Sequence, residues 1–370
     1  MTGLKTDNRN NNFPLIRLLG AVFVFVGHMG EIFGTQPALL GGIPVQEIGV
    51  GMLFLVSGYL ITKSWLSDPN ILRFSIRRFL RLWPPFAVCV ILIAFVAGPL
   101  LSDLGTEGYF QNGGYLWYLR NLRFFIIYAL PEVFTDLPIP NSMNGSFWTM
   151  PVEAALYLIT PILLTLLRVK GKNERSFPAA VILTGGMIGF DFYLRVFHAG
   201  ERVIFYGTEW ISAYHLIVFY MIGVLFTYEK AKKLLNLQAG CIAICIMLVS
   251  QITPAPYQYL VMYLTLPYFV LSYVFTARPV FHALDRKMEL SYGIYLYGFF
   301  FQQLVAYFRG FYSLPLTYLQ GLLISAVPTL LAAVLSFYLV EKPMMRLSRV
   351  ILQRLSPKQG KKTAIKGGRQ

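Results

Sequence analysis

Residues 14–34 read PLIRLLGAVFVFVGHMGEIFG. A run of this length and apolarity can cross the hydrocarbon core of a bilayer as a helix. Between Arg17 and His28 it holds only apolar residues and glycine. Eleven steps of about 100° return a helix almost to its starting angle, so Arg17 and His28 share one face, roughly 16 Å apart along the axis. Ionisable residues inside a span are rare and mark functional positions by default. The competing reading has His28 packed against a neighbouring helix and Arg17 snorkelling to the interface.

Working outward, the same character fills the chain. Of its 370 residues 56% are hydrophobic and 13% charged, and the mean hydropathy is +0.57, far outside the soluble range. Apolar runs of spanning length fall at 14–34, 47–66, 84–101, 147–167, 177–194, 210–228, 235–252, 258–276, 290–308 and 316–340. The expected fold class is therefore all-α, a polytopic membrane helix bundle of about ten transmembrane helices. An even number of spans puts both termini on one side. With the N-terminus cytoplasmic, 27 of the 32 Lys and Arg residues fall in inner segments, as the positive-inside rule requires, so both termini are expected in the cytoplasm. The net charge of +15 is then a topology signal, and no basic stripe with interleaved aromatics calls for nucleic acid. The first span has basic residues before an apolar core, like a signal peptide, but lacks a small-x-small cleavage site and is expected to be retained. Cys89, Cys241 and Cys245 all fall in spans, where disulfides are not expected, and the Cys241/Cys245 pair is read as packing.

The organisation predicted is a cytoplasmic N-terminal segment over 1–13, a membrane domain over 14–345, and a basic cytoplasmic tail over 346–370, expected to be disordered beside anionic lipid. The long outer connection 102–146 contains GGYLWYLRNLRFFIIYAL at 113–130. This piece reads as an amphipathic helix on the membrane surface, with a lid or re-entrant segment as the alternative.

Two further elements carry chemistry. In ILRFSIRRFLRLWPP, residues 71–85, Arg78 and Arg81 are three apart and Arg73, Arg77 and Arg81 four apart, a continuous guanidinium face on a short helix. Pro84 is expected to mark entry into the next span. Such a cluster suits several phosphates, as on a nucleotide-like donor; topology and anionic lipid head groups explain it equally well. In SFWTMPVEAALYLITPILL, residues 146–164, Glu153 interrupts an apolar run. Counted from the outer ends of their spans, Glu153 and His28 both lie roughly 9–10 Å deep, an arrangement open to a general base and the carboxylate that orients it. His215 and His198 have no assigned role, core packing being the simpler reading of His215, and His282 with Asp285 reads as a surface pair.

Together these residues resemble the acyltransferase type 3 family, integral membrane O-acyltransferases of bacterial surface polysaccharides. The resemblance spans residues 14–345 and rests on Arg17 with His28, FLVSGYLI around Ser57 and Gly58, the Arg78-x-x-Arg81-x-x-Pro84 run, FWTMPVEAALYLITP around Glu153, SYGIYLY at 291–297, and VEKP with Glu341 and Pro343. It implies a catalytic His28, with Glu153 holding its tautomer or the acceptor, and Arg17, Arg78 and Arg81 binding the donor. That donor would be acetyl-CoA or another short acyl-CoA, with no permanently bound cofactor and no metal. Ser57 would donate to the oxyanion or serve close packing. The acceptor would be a sugar hydroxyl of a glycan such as O-antigen or capsule, and the location a bacterial inner membrane, in contact with its lipids. Many members carry a His where this chain has Gly298. A polysaccharide or lipid-linked sugar transporter is the competing class; it leaves the Arg-x-x-Arg run unexplained and would predict repeats with broken helices.

Overall fold

The computed structural model describes residues 11–167, 174–278 and 288–355, which are mostly helical. Seven helices are long and apolar enough to cross a membrane. In chain order they include α1 (Phe13–Ile32), α2 (Val45–Ser67) and α3 (Ile71–Leu101). After a short α4 (Gly105–Asn112) come α5 (Thr149–Leu166), entered through a 3-10 turn at Gly145–Trp148, and α6 (Phe177–Phe197). Two apolar helices are shorter, α7 (Trp210–Leu225) and α8 (Leu237–Val249). α9 (Ala255–Thr276) and α11 (Tyr318–Leu355) complete the seven, and between them α10 (Ser291–Phe311) carries Gln302, Gln303 and Arg309 among its aromatics. Each apolar run read from the sequence overlaps one of these helices.

Glycine sets how closely the central helices approach. A Cβ on Gly49 of α2 would lie 2.5 Å from the Gly20 carbonyl oxygen of α1, and one on Gly58 would lie 2.0 Å from the Tyr220 carbonyl oxygen of α7. Small residues at such crossings let backbones touch where lipid supplies no hydrophobic drive between helices. α10 threads the middle of the bundle and buries more than half of its residues. Its amides are not wasted on lipid: Gln302 donates to the Phe25 carbonyl at 2.6 Å, and Gln303 to those of Ile139 and Ser142 at 2.8 and 2.9 Å.

Four expectations are corrected here. Pro84 does not begin a helix, because α3 runs on from Ile71 with Pro84 and Pro85 inside it; the Tyr292 hydroxyl donates to the nearby Leu82 carbonyl at 2.7 Å. The piece 113–130 is not a surface helix. It is helical only over Tyr115–Tyr118 and Leu119–Arg123, and Tyr118, Asn121, Ile126 and Leu130 are buried, so it folds down as a cap on the bundle. The Asn121 side-chain amide closes this turn, its Nδ2 donating to the Tyr118 and Ile127 carbonyls and its Oδ1 accepting from the Ile127 amide. Residues 346–355, expected to be disordered, are helical: α11 continues through a π-turn at Phe337–Glu341 into Lys342–Leu355, where Met344, Leu347, Ile351 and Leu355 share a face opposite Arg346 and Arg349. Residues 356–370 lie outside the described residues.

The fourth correction matters most for the site. Residues 141–144 re-enter the bundle as non-helical chain and pass straight into the 3-10 turn. Asn144 Nδ2 donates to the Leu296 carbonyl at 2.6 Å, and the Tyr295 hydroxyl donates to the Ser146 carbonyl at 2.9 Å. α5 therefore starts deep inside, and Glu153 lies deeper than a count from the outer surface gives.

Two small hairpins stand at the end of the bundle opposite Arg17. β1 (Leu39–Leu40) pairs with β2 (Ile43–Pro44), and β3 (Ile204–Phe205) with β4 (Thr208–Glu209), both antiparallel. Their two-residue turns, Gly41-Gly42 and Tyr206-Gly207, all have positive φ, the geometry that matches the twist of a tight hairpin.

Candidate active site

At one end of the bundle three helices converge on a carboxylate. Arg81 of α3 donates to Glu289 Oε1 at 2.6 Å, and Arg17 of α1 pairs with the same oxygen. Glu341, at the π-turn of α11, lies close enough to interact with both guanidinium groups. The four arginines of the α3 cluster divide by role. Arg73 and Arg77 turn away to Asp68, at 3.0 and 2.8 Å, and hold its carboxyl well below the usual range. Arg78 and Arg81 face the bundle: Arg78 donates to Ser64 Oγ at 3.3 Å and lies over the rings of Phe74 and Tyr157.

Beside Arg17 opens a cavity of about 70 Å³ whose walls include Ser57, Glu153, Thr149, Ser291 and Tyr292. Tyr157 donates its hydroxyl to Glu153 Oε1, so Glu153, Tyr157 and Arg78 form a chain leading from this cavity to the arginine cluster. Ser57 faces the cavity while its neighbour Gly58 makes the close crossing with α7.

His28 lies elsewhere. It borders a second cavity, of about 380 Å³, with Glu31, Glu47, Trp148, Arg195 and His215. Its ring meets Phe299 edge-on, with centroids 5.2 Å apart. The carboxylate near it is Glu31, whose Oε2 is 3.8 Å from His28 Nδ1 and whose Oε1 accepts from Gln46 Nε2 at 2.8 Å. The structure thus does not bring Glu153 to His28; the re-entrant chain before α5 puts Glu153 in the smaller cavity with Arg17. Val50 of α2 lines both cavities and is itself only 5% exposed.

The larger cavity continues into a surface cleft of about 420 Å³ bordered by the second hairpin. Tyr128, Glu209, Ile211 and Ser212 are common to both. Glu209 caps α7 by accepting from the Ile211 and Ser212 amides at 2.9 and 2.6 Å. Burial pushes the Tyr128 phenol up to about 12, so it stays protonated, its hydroxyl donating to the Gly207 carbonyl at 3.2 Å. Polar groups beside flat aromatic faces suit a sugar.

Gly298 packs against Phe25, where a Cβ would lie 2.8 Å from the ring, so a histidine at this position would collide with α1. Sequence reading missed Glu289, visible only as an acid two residues before Ser291, and the role of Glu31. It also missed the group in which Tyr259 donates to Glu47 and lies under Arg195: Asp191 and Arg195 are four apart on α6, but their meeting with α2 and α9 leaves no local spacing. His282 and Asp285 lie outside the described residues. Among the described residues no group of His, Cys, Asp and Glu could hold a metal ion.

Comparison with known proteins supplies the next fact. The profile of the acyltransferase domain family matches residues 10–340. An O-acetyl transferase of Shigella phage Sf6 is 28% identical over 90% of this chain and 96% of its own length. A nodulation protein of Rhizobium leguminosarum is 25% identical over 95% and 98%. A peptidoglycan O-acetyltransferase of Listeria monocytogenes is 22% identical over 80% of this chain, which spans 51% of that protein. No solved structure matches.

Proposed function

This chain belongs to the acyltransferase type 3 family, a multi-pass membrane acyltransferase for groups other than aminoacyl, and from that premise we propose a transmembrane O-acetyl transfer from cytoplasmic acetyl-CoA to a glycan hydroxyl on the far side. In this reading the ten apolar helices all span, both termini are cytoplasmic, and the membrane is a bacterial inner membrane. The bias of Lys and Arg toward alternate loops supports that orientation.

The observation that carries the proposal is the pair of cavities meeting at Val50. Arg17, Arg78 and Arg81 supply guanidinium groups at the basic end for the phosphates of CoA. The pantetheine arm enters past Ser57 and Glu153 and brings the thioester toward Val50. The acceptor sugar enters from the hairpin end and lies against Trp148 and Tyr128. His28 removes the proton from its hydroxyl, the alkoxide oxygen attacks the thioester carbonyl, and the C–S bond breaks to release CoA as a thiolate, which takes up the proton. Glu31 steadies the imidazolium through Nδ1. The name of the Listeria relative supports a glycan acceptor; O-antigen or capsule belongs to the same chemical class.

The test uses inside-out vesicles given labelled acetyl-CoA outside, with deacetylated surface glycan sealed in the lumen. Label should reach the luminal glycan, and His28→Ala should lower its rate by about 10²- to 10⁴-fold at unchanged protein level. Acetylation only of glycan added to the CoA side would overturn the transmembrane route. Sugar flux without any acetyl transfer would favour a transporter.

A further inference from the structure

His215 lies on α7, in the wall of the cavity that holds His28, and is 3% exposed. Its Nδ1 is 2.5 Å from the Tyr263 hydroxyl of α9, and its ring packs edge-on against Phe219 and Tyr259. Its Nε2 is buried and has no hydrogen-bond partner. A buried polar atom without a partner is costly, and native structures keep one where something else is meant to complete it.

The ring is held from one side only. Tyr263 and His215 share the Oη···Nδ1 hydrogen bond, while the nearby, fully buried Asp191 is committed to Arg195, its Oδ2 accepting from Nε at 2.7 Å. An imidazole nitrogen donates or accepts according to whether it carries the proton, so Nε2 can pair with a hydroxyl in either sense.

We propose that His215 is a second acceptor-contacting histidine, whose Nε2 forms a hydrogen bond with another hydroxyl of the sugar acylated at His28. The proposal rests on the reading of this cavity as the acceptor site. It makes His215 a specificity determinant: the acceptor must carry a free hydroxyl besides the one that reacts. His215 therefore acts on acceptor affinity and leaves the donor side untouched.

Two substitutions separate this role from packing. In His215→Asn the shorter amide keeps a partner for Tyr263 but loses the group at the Nε2 position. In His215→Gln the amide reaches that position. Full-length protein in proteoliposomes is supplied with acetyl-CoA and with base-deacetylated surface glycan from cells lacking the gene. His215→Asn should raise the KM for glycan by about tenfold, with turnover at saturating glycan within threefold of wild type and acetyl-CoA affinity unchanged. His215→Gln should recover most of the affinity. An unchanged glycan KM in His215→Asn would overturn the inference and return His215 to packing. A fall in turnover and thermal stability together, at constant KM, would do the same. Absence of any transfer by the wild-type protein would instead overturn the acetyltransfer reading, and this inference with it.

Discussion

Glu31 Oε2 lies 3.8 Å from His28 Nδ1, one helical turn further along α1. Gln46 of α2 holds the other carboxylate oxygen, so the partner of the histidine is fixed from a second helix. Glu31→Gln keeps this size but removes the charge that balances an imidazolium. Turnover should fall by about 10- to 100-fold, short of the full loss of a general base, with acetyl-CoA affinity unchanged. Steady-state kinetics beside equilibrium donor binding checks it; full turnover in Glu31→Gln would leave His28 without this orienter.

The arginine cluster should divide in function as it divides in space. Arg78→Ala or Arg81→Ala removes a charge-assisted contact to phosphate worth about 1.5–3 kcal/mol, and should weaken acetyl-CoA binding by about 10- to 150-fold. Arg73→Ala and Arg77→Ala lose only ion pairs to Asp68 at the solvent-facing side, a class of interaction that water screens. Their donor affinity should stay near wild type in isothermal titration. Equal losses at all four positions would restore the cluster to a shared topological role.

Val50 should control passage between the two cavities. Val50→Trp fills the point where they meet, so transfer to glycan should drop by at least about 100-fold if reacting groups cannot approach. Acetyl-CoA binding at the basic end and glycan binding at the hairpin end should both persist. Transfer at the wild-type rate would show that the acyl group travels another way.

Gly58 is a stability prediction. An added methyl would meet the Tyr220 backbone, which cannot rotate aside, so Gly58→Ala should cost about 1–3 kcal/mol or more. Gly186→Ala, on the outward side of α6 with nothing within 4 Å of the added Cβ, should be neutral. Thermal unfolding in detergent compares the two; equal midpoints would mean that α2 and α7 can separate freely.

The helices were legible because twenty apolar residues with one charged face have few other fates in a bilayer, and Arg17 and His28 share that face through simple periodicity. The partners were not. The depth count that paired Glu153 with His28 assumed that each apolar run starts at the membrane surface. Asn144, Gly145 and Ser146 look like an ordinary loop, yet there the chain turns inward, with Asn144 reaching Leu296. Glu289 shows the same limit: 208 residues separate it from Arg81, and no local pattern records that meeting.

The narrowness at Val50 has an electrical consequence. The two cavities share a buried aliphatic side chain as a wall, a surface that offers an ion no ligand. A membrane energised by an ion gradient would be short-circuited by an open channel wide enough to admit both a thioester and a sugar. Under the proposed route only one small uncharged acyl group would pass this point.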